Sequence, residues 1–390
     1  MDVKWLPGVE ISRRGDVIGL AGDGLEVGSQ CFALVTTGTD GNLTFWDTRP
    51  EKYAARQRPG RDKEVIDARM SWIPVHSIKL VAEGGDILCR RLCVQENSLS
   101  SELSVGSAHG QYLRCTYTVP ADAGVNPDLV KQLHEAHDAP VSVVMRSPFF
   151  PELTLTVGGW SFAVWHDDLA QPIFQSPLKG ARQMSGKQED LVQLTCGTWS
   201  LTRPGLIFVG REDGHLESWD LLDRSHEPSE IAEVIVPRAL TTMSFHPSLA
   251  TMTPAQRATS SLAGLLAMGD SEGTLHVMNL PGNLVRWSNQ REAKEVETME
   301  AFWRRQAARV QGVKALLDSP EMGGGGDKNK RAGGGGGGGG DDEEDRETVS
   351  ASPAMEEVVI TYDAAAAARY AELEAEYKAK CGLNPPETFD

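Results

Sequence analysis

The chain has 390 residues and a mass of 42.3 kDa, more than the roughly 100–200 residues of one ordinary domain, so a multi-domain chain, a large barrel or a repeat array is expected. Its 40% hydrophobic and 24% charged residues match globular usage and exclude a wholly disordered chain. With 55 acidic against 38 basic residues the net charge is −17, which argues against nucleic acid or an anionic membrane as partner, because both require clustered positive charge.

A protein partner is the remaining expectation. No apolar run approaches the about 18 residues of a membrane helix, and the first eight residues lack a secretory layout, so a soluble intracellular chain is expected. Six cysteines, Cys31, Cys89, Cys93, Cys115, Cys196 and Cys381, are too sparse for a disulfide framework and read as reduced thiols.

One pattern recurs along residues 1–285: a short apolar strand, a turn with Asp-Gly or Glu-Gly, then an alternating strand ending in a Trp-Asp-like pair. The first copy joins Phe32–Thr36 through Asp40-Gly41 to Trp46-Asp47. A weak second copy runs from His109-Gly110 to Cys115-Thr116, and the third from Gly159-Trp160 to Trp165-His166. Glu212-Asp213-Gly214 leading to Trp219-Asp220 is the clearest. The fifth, Glu272-Gly273 to Met278-Asn279, has Met in place of Trp.

Glycine at the turn accepts positive φ and period-2 alternation buries one face of each strand, which is the grammar of a hairpin. Between equivalent positions 41, 110, 160, 214 and 273 the intervals run from 50 to 69 residues, against about 40–45 for a WD-type blade. An all-β, WD-repeat β-propeller is therefore predicted, with the excess in loops such as Glu51–Glu64, Val119–Leu133 and Pro247–Ser260.

In such blades a Trp indole is tied through a strand hydroxyl and a loop His to a turn Asp. Asp40, Trp46, Asp47, Asp213, Trp219 and Asp220 are assigned as structural blade residues. Blade three offers Trp165, Thr156 and His137, but Gly158-Gly159 stands where its Asp is expected, so that network is predicted to be incomplete. The first blade begins almost at Met1. Five visible blades mean either a five-bladed ring with long loops or, the favoured reading, part of a seven-bladed ring.

Catalytic and cofactor motifs are not found: neither glycine run continues as a phosphate loop, and Gly106–Gly110 is not a nucleophile elbow. Cys89, Cys93, Cys115 and His109 lack the matched second pair of a zinc site, so buried thiols are expected and no metal. The basic residues Lys52, Arg56, Arg58, Arg61 and Lys63 are interleaved with carboxylates and read as a solvated or protein-binding loop. No enzyme activity and no cofactor are expected.

After the blades the period changes. Over 288–318, Val296, Met299, Trp303, Val310, Val313 and Leu317 form a heptad-like stripe, with Arg291, Lys294, Arg304, Arg305 and Arg309 on the other side, predicting an amphipathic helix that docks on something. Trp287, Phe302, Trp303, Arg304 and Arg305 are the candidate partner-binding residues, since buried aromatic and Arg anchors dominate interfaces. Residues 319–360 hold two glycine runs, Gly323–Gly326 and Gly333–Gly340, and the acidic block 341–345, predicting a flexible linker. A second helix is predicted over 363–381, from the Ala364–Ala368 run and the Tyr370, Leu373, Tyr377 stripe.

Residues 194–205 (Leu-Thr-Cys-Gly-Thr-Trp-Ser-Leu-Thr-Arg-Pro-Gly), continuing through Glu212-Asp213-Gly214 to Trp219–Pro228, with supporting stretches at 171–177 and 273–281, resemble the WD-repeat intermediate chains of axonemal dyneins. Within that family the resemblance is to an intermediate chain of the two-headed inner-arm dynein. It implies a non-catalytic, seven-bladed propeller that grips a dynein heavy chain beside a second WD-repeat dynein intermediate chain, in the cytoplasm and the axoneme of a cilium or flagellum. Dynein light chains bind an N-terminal extension in that family, which this sequence lacks, so they are not expected partners. The alternative is a generic WD-repeat adaptor, such as a ubiquitin-ligase substrate receptor or a trafficking scaffold.

Overall fold

The computed structural model describes residues 2–19, 31–38, 40–49, 74–82, 85–94, 101–120, 128–177, 192–231, 237–246, 248–253, 256–257, 260–285 and 292–317. The Glu51–Glu64 loop with its basic residues, the 319–360 linker, the 363–381 helix, Trp287 and Cys381 lie outside them. The chain divides into two units, Met1–Gly326 and Asp327–Asp390, and everything described belongs to the first.

Strand β1 (Asp2–Leu6) is followed by a hairpin of β2 (Val9–Ile11) and β3 (Val17–Gly19), then forms blade one with β4 (Ala33–Thr37), β5 (Asn42–Asp47) and β6 (His76–Lys79). A small hairpin, β7 (Val81–Ala82) and β8 (Gly85–Asp86), leads to blade two: β9 (Cys89–Val94), β10 (Glu102–Ser107), β11 (Gln111–Thr116) and β12 (Val130–Glu135). Blade three is β13 (Val141–Arg146), β14 (Leu153–Gly158), β15 (Ser161–His166) and β16 (Phe174–Gln175). Blade four is β17 (Leu194–Trp199), β18 (Leu206–Arg211), β19 (Leu216–Asp220) and β20 (Glu230–Ile231). Blade five has three described strands, β21 (Leu240–Phe245), β22 (Leu265–Asp270) and β23 (Leu275–Asn279), with α1 (Ser248–Thr251) in its first connection. Two helices follow, α2 (Gly282–Val285) and α3 (Glu292–Leu317).

Every blade is an antiparallel meander, and the inner strands β1, β9, β13, β17 and β21 pack side by side in that order. The all-β WD-repeat propeller expected from the hairpins is what the sheets form. Among the described residues no packing of that extent joins β21 to β1.

The turns explain why these segments fold as they do. Gly41, Gly110, Gly159, Gly214 and Gly273 have φ of 76, 86, 57, 83 and 83°, the left-handed region that costs an L side chain energy. At Gly110 a Cβ would also lie 2.0 Å from the carbonyl oxygen of His137. The third turn is centred on Gly159, one residue before the position read from the repeat. The loop expected over Val119–Leu133 ends early, because Val130–Leu133 already belong to β12.

Apolar side chains fill the spaces between blades rather than one central core. Leu43, Phe45, Leu92, Val105 and Leu113 close the gap between blades one and two. Tyr112, Val141, Ala163 and Trp165 do so between two and three, and Phe208, Leu240, Leu266 and Met268 between four and five. Each sheet is thus held by its neighbour, since a lone sheet of this size leaves an apolar face in water.

Candidate partner-binding face

The locks that keep the blades rigid vary from one blade to the next. In blade three the Trp165 indole donates to Thr156 Oγ1 (2.9 Å), Thr156 meets His137 Nε2 (2.8 Å), and His137 Nδ1 meets Ser161 Oγ (3.1 Å). With the proton on Nδ1 the Trp165, Thr156 and His137 donors each face an acceptor. The network expected to be incomplete is therefore completed by Ser161, whose hydroxyl at the start of β15 reaches the place of the absent turn Asp. Tyr112 and His134 of blade two pack against the Trp165 ring at centroid distances of 5.1 Å each.

In blade four the hydroxyl and His are replaced by charge. Trp219 Nε1 donates to Glu217 Oε2 (3.0 Å), Arg211 bridges Glu217 Oε1 (3.1 Å) and Asp213 Oδ2 (2.6 Å), and Asp213 also meets His215 Nδ1 (3.0 Å). Blade one keeps the simplest form: Trp46 Nε1 donates to Thr36 Oγ1 (2.9 Å), Asp40 accepts from the Asn42 N–H (3.1 Å), and Asp47 pairs with Arg49 (2.6 Å). In blade five Asp270 takes the His276 ring (3.1 Å) and the N–H of Thr274, which together hold its carboxyl at about 2.

Burial pulls His137 down to about 4, against about 6.5 in an unfolded chain. The unfolded state then takes up the proton first, so stability is complete above about pH 6.5 and declines as pH falls toward about 4, by up to about 3 kcal/mol. A chemical-denaturation series across that window should show the slope, and His137→Phe should flatten it.

The face that carries the helix is built at the ends of β13 and β17. Helix α3 sets Val296, Met299, Trp303 and Val310 against Phe150, Leu153, Leu169, Leu221 and Trp199 of blades three and four. Gly205 permits the approach, since a Cβ there would stand 3.1 Å from Met299 Sδ. Met299 is fully buried and Trp303 is 4% exposed, with Phe302 edge-on to it at 5.0 Å. The apolar stripe thus docks on the propeller itself as far as Val310, and beyond that point Val313 is exposed.

A buried ion cluster fastens this helix. Arg203, in the turn before β18, donates from Nη2 to Asp220 Oδ2 (2.5 Å), from Nε to Glu295 Oε1 (3.2 Å) and from Nη1 to the Asn283 carbonyl (3.0 Å). It joins the Trp-Asp end of blade four to α2 and α3 at once. Sequence reasoning missed Arg203 and Glu295, which are 92 residues apart, and no local signal links them.

The outer side of α3 presents cations. Arg304 is exposed and pairs with Glu300 (2.5 Å, i to i+4), Arg305 donates to the Ala301 carbonyl (3.3 Å), and Arg309 and Lys314 continue the charged side toward the C-terminal end. Of the candidate partner residues, then, Arg304 and Arg305 face solvent, Phe302 is half-buried and Trp303 is inside.

Burial pushes the thiols of Cys89 and Cys196 up to about 12. Among the described residues no three His, Cys, Asp or Glu side chains are grouped to hold a metal.

Four-stranded antiparallel blades packed side by side, with tryptophans tied across their strands, define a WD-repeat β-propeller. A family model described as the dynein axonemal intermediate chain 3 WD40 domain matches residues 88–280, so this part of the chain is similar to the WD-repeat axonemal dynein intermediate chains. It is 26% identical to dynein axonemal intermediate chain 3 of Macaca fascicularis, over 80% of this chain and 38% of that one. The human protein of the same name is also 26% identical, over 77% and 38%. The 70 kDa intermediate chain of the flagellar outer-arm dynein of Chlamydomonas reinhardtii is 25% identical, over 78% and 45%. The chain spans less than half the length of these curated relatives. A solved chain in the crystal structure of the mitotic checkpoint complex superposes with a TM-score of 0.42 at 10% identity, covering 70% of this chain and 61% of that one, too distant to bear on fold or function.

Proposed function

We propose that this chain is a non-catalytic intermediate chain of an inner-arm axonemal dynein, holding a dynein heavy chain beside a second WD-repeat intermediate chain in the axoneme of a cilium or flagellum. The family match over residues 88–280 carries this reading. The fold supplies the means: blades locked to one another present a broad surface that loses little freedom on binding.

Within that reading the heavy chain meets the outer side of α3 through Arg304, Arg305 and the exposed edge of Phe302, with Trp303 setting the helix in place from inside. Arg is favoured at such sites because its planar fork pairs with carboxylates in two-point contacts. Trp287 belongs to the same candidate surface and lies outside the described residues.

The test is recovery of the heavy chain from high-salt axonemal extracts. The tagged full chain should sediment with a very large complex and bring the heavy chain down, and Arg304→Ala with Arg305→Ala should weaken that recovery without changing the melting temperature, since both side chains are exposed. Undiminished recovery would remove this side of α3 from the interface. Sedimentation of the unaltered chain away from any dynein would favour the generic adaptor.

A further inference from the structure

A cavity of about 1010 Å³ opens where the inner strands of the first four blades end. That is at the upper end of the roughly 300–1,000 Å³ typical of ligand pockets. Trp5 from β1, Val94 from β9, Pro148 and Pro151 after β13, and Leu201 after β17 make its apolar walls. Trp5 is 54% exposed, a large aromatic surface left in water.

The charge of this cavity runs against that of the chain. Lys4, Arg146 and Arg257 line it, and no Asp or Glu is among the described lining residues, although the protein carries −17 overall. Arg146 is held by Asp167 (2.8 Å) and donates to the Pro151 carbonyl. Arg257 donates from Nε to the Met252 carbonyl (2.9 Å), and burial pulls its guanidinium below its ordinary value. Lys4 is exposed beside Trp5. A concave, partly apolar surface focuses such a field, drawing anions toward it.

We infer that this cavity is a docking site for an acidic segment of a partner protein, which places carboxylates against Lys4 and Arg257 and an apolar side chain against Trp5 and the two prolines. An extended segment suits the site better than a small carboxylate, because cations and apolar walls come from five blades and one side chain cannot reach them all. The inference does not depend on which complex the chain joins.

The probe is a fluorescein-labelled peptide of alternating Glu and Leu, titrated with the full chain and followed by anisotropy, beside a Lys and Leu peptide of the same length. Saturable binding of the acidic peptide is expected, weakened about tenfold or more by Lys4→Glu and, separately, by Trp5→Ala. Both side chains are exposed, so an unchanged melting temperature certifies the fold of each variant. Absence of binding, equal binding of the Lys and Leu peptide, or indifference to both substitutions would overturn the inference. Displacement by an equal concentration of N-acetylglutamate would also overturn it, reassigning the site to a small carboxylate.

Discussion

Replacing Arg203 by Met should destabilise the protein by about 3–5 kcal/mol, the cost of leaving buried charges without their partner. Glu295 and Asp220 have side chains only 2% and 11% exposed, and both accept from this one guanidinium. Removing it takes the charged donor away from two buried carboxylates at once, and from the Asn283 carbonyl. The loss should fall on α3 first: its amides should exchange faster than those of the blade-four strands, and the denaturation midpoint should drop. Adding Glu295→Leu should recover part of the loss, because Asp220 still accepts from the Leu222 N–H (3.1 Å). If the single variant denatured at the midpoint of the parent, the cluster would be incidental to the helix.

That cluster also marks where sequence reasoning stops. The blades were legible because their turns carry a local requirement, glycine at positive φ between strands of period 2, and that requirement is visible within a dozen residues. Strand β1 was not, because Asp2–Leu6 has no turn signal before it and three of its five residues are exposed, so no alternation of buried and exposed positions marks it. The Ser161 lock was missed since a serine in a strand is unremarkable until the His137 ring is found 3.1 Å away. Glu217 is 1% exposed and accepts the Trp219 indole, a role that no turn or spacing signal marks. The α3 stripe was legible as apolar, but the sequence pattern alone left open what it covers, because packing against one's own propeller and against another chain demand the same heptad.

Trp303→Ala should cost about 3–5 kcal/mol, as for other buried large aromatic side chains, and should release α3 with loss of helical signal, since most of a helix's stability in a protein comes from packing of its apolar face. Trp303→Phe should be nearly neutral. The indole Nε1 is buried with no hydrogen-bond partner among the described residues, a state that costs about 1–3 kcal/mol, and Phe removes that donor while keeping most of the apolar contact with blades three and four. Trp165→Phe is the contrasting case: its indole is bonded to Thr156, so the same change discards a satisfied donor and should cost more than at Trp303. The order Trp303→Ala, then Trp165→Phe, then Trp303→Phe therefore separates volume from hydrogen bonding within one protein. Because Trp303 and Arg203 hold the same helix, combining Trp303→Ala with Arg203→Met should cost less than the two separate losses together. Full additivity would mean that the apolar stripe and the ion cluster anchor α3 independently. A loss of heavy-chain recovery in Trp303→Ala that Trp303→Phe does not share would then trace to a displaced helix, leaving Arg304 and Arg305 as the side chains that touch the partner.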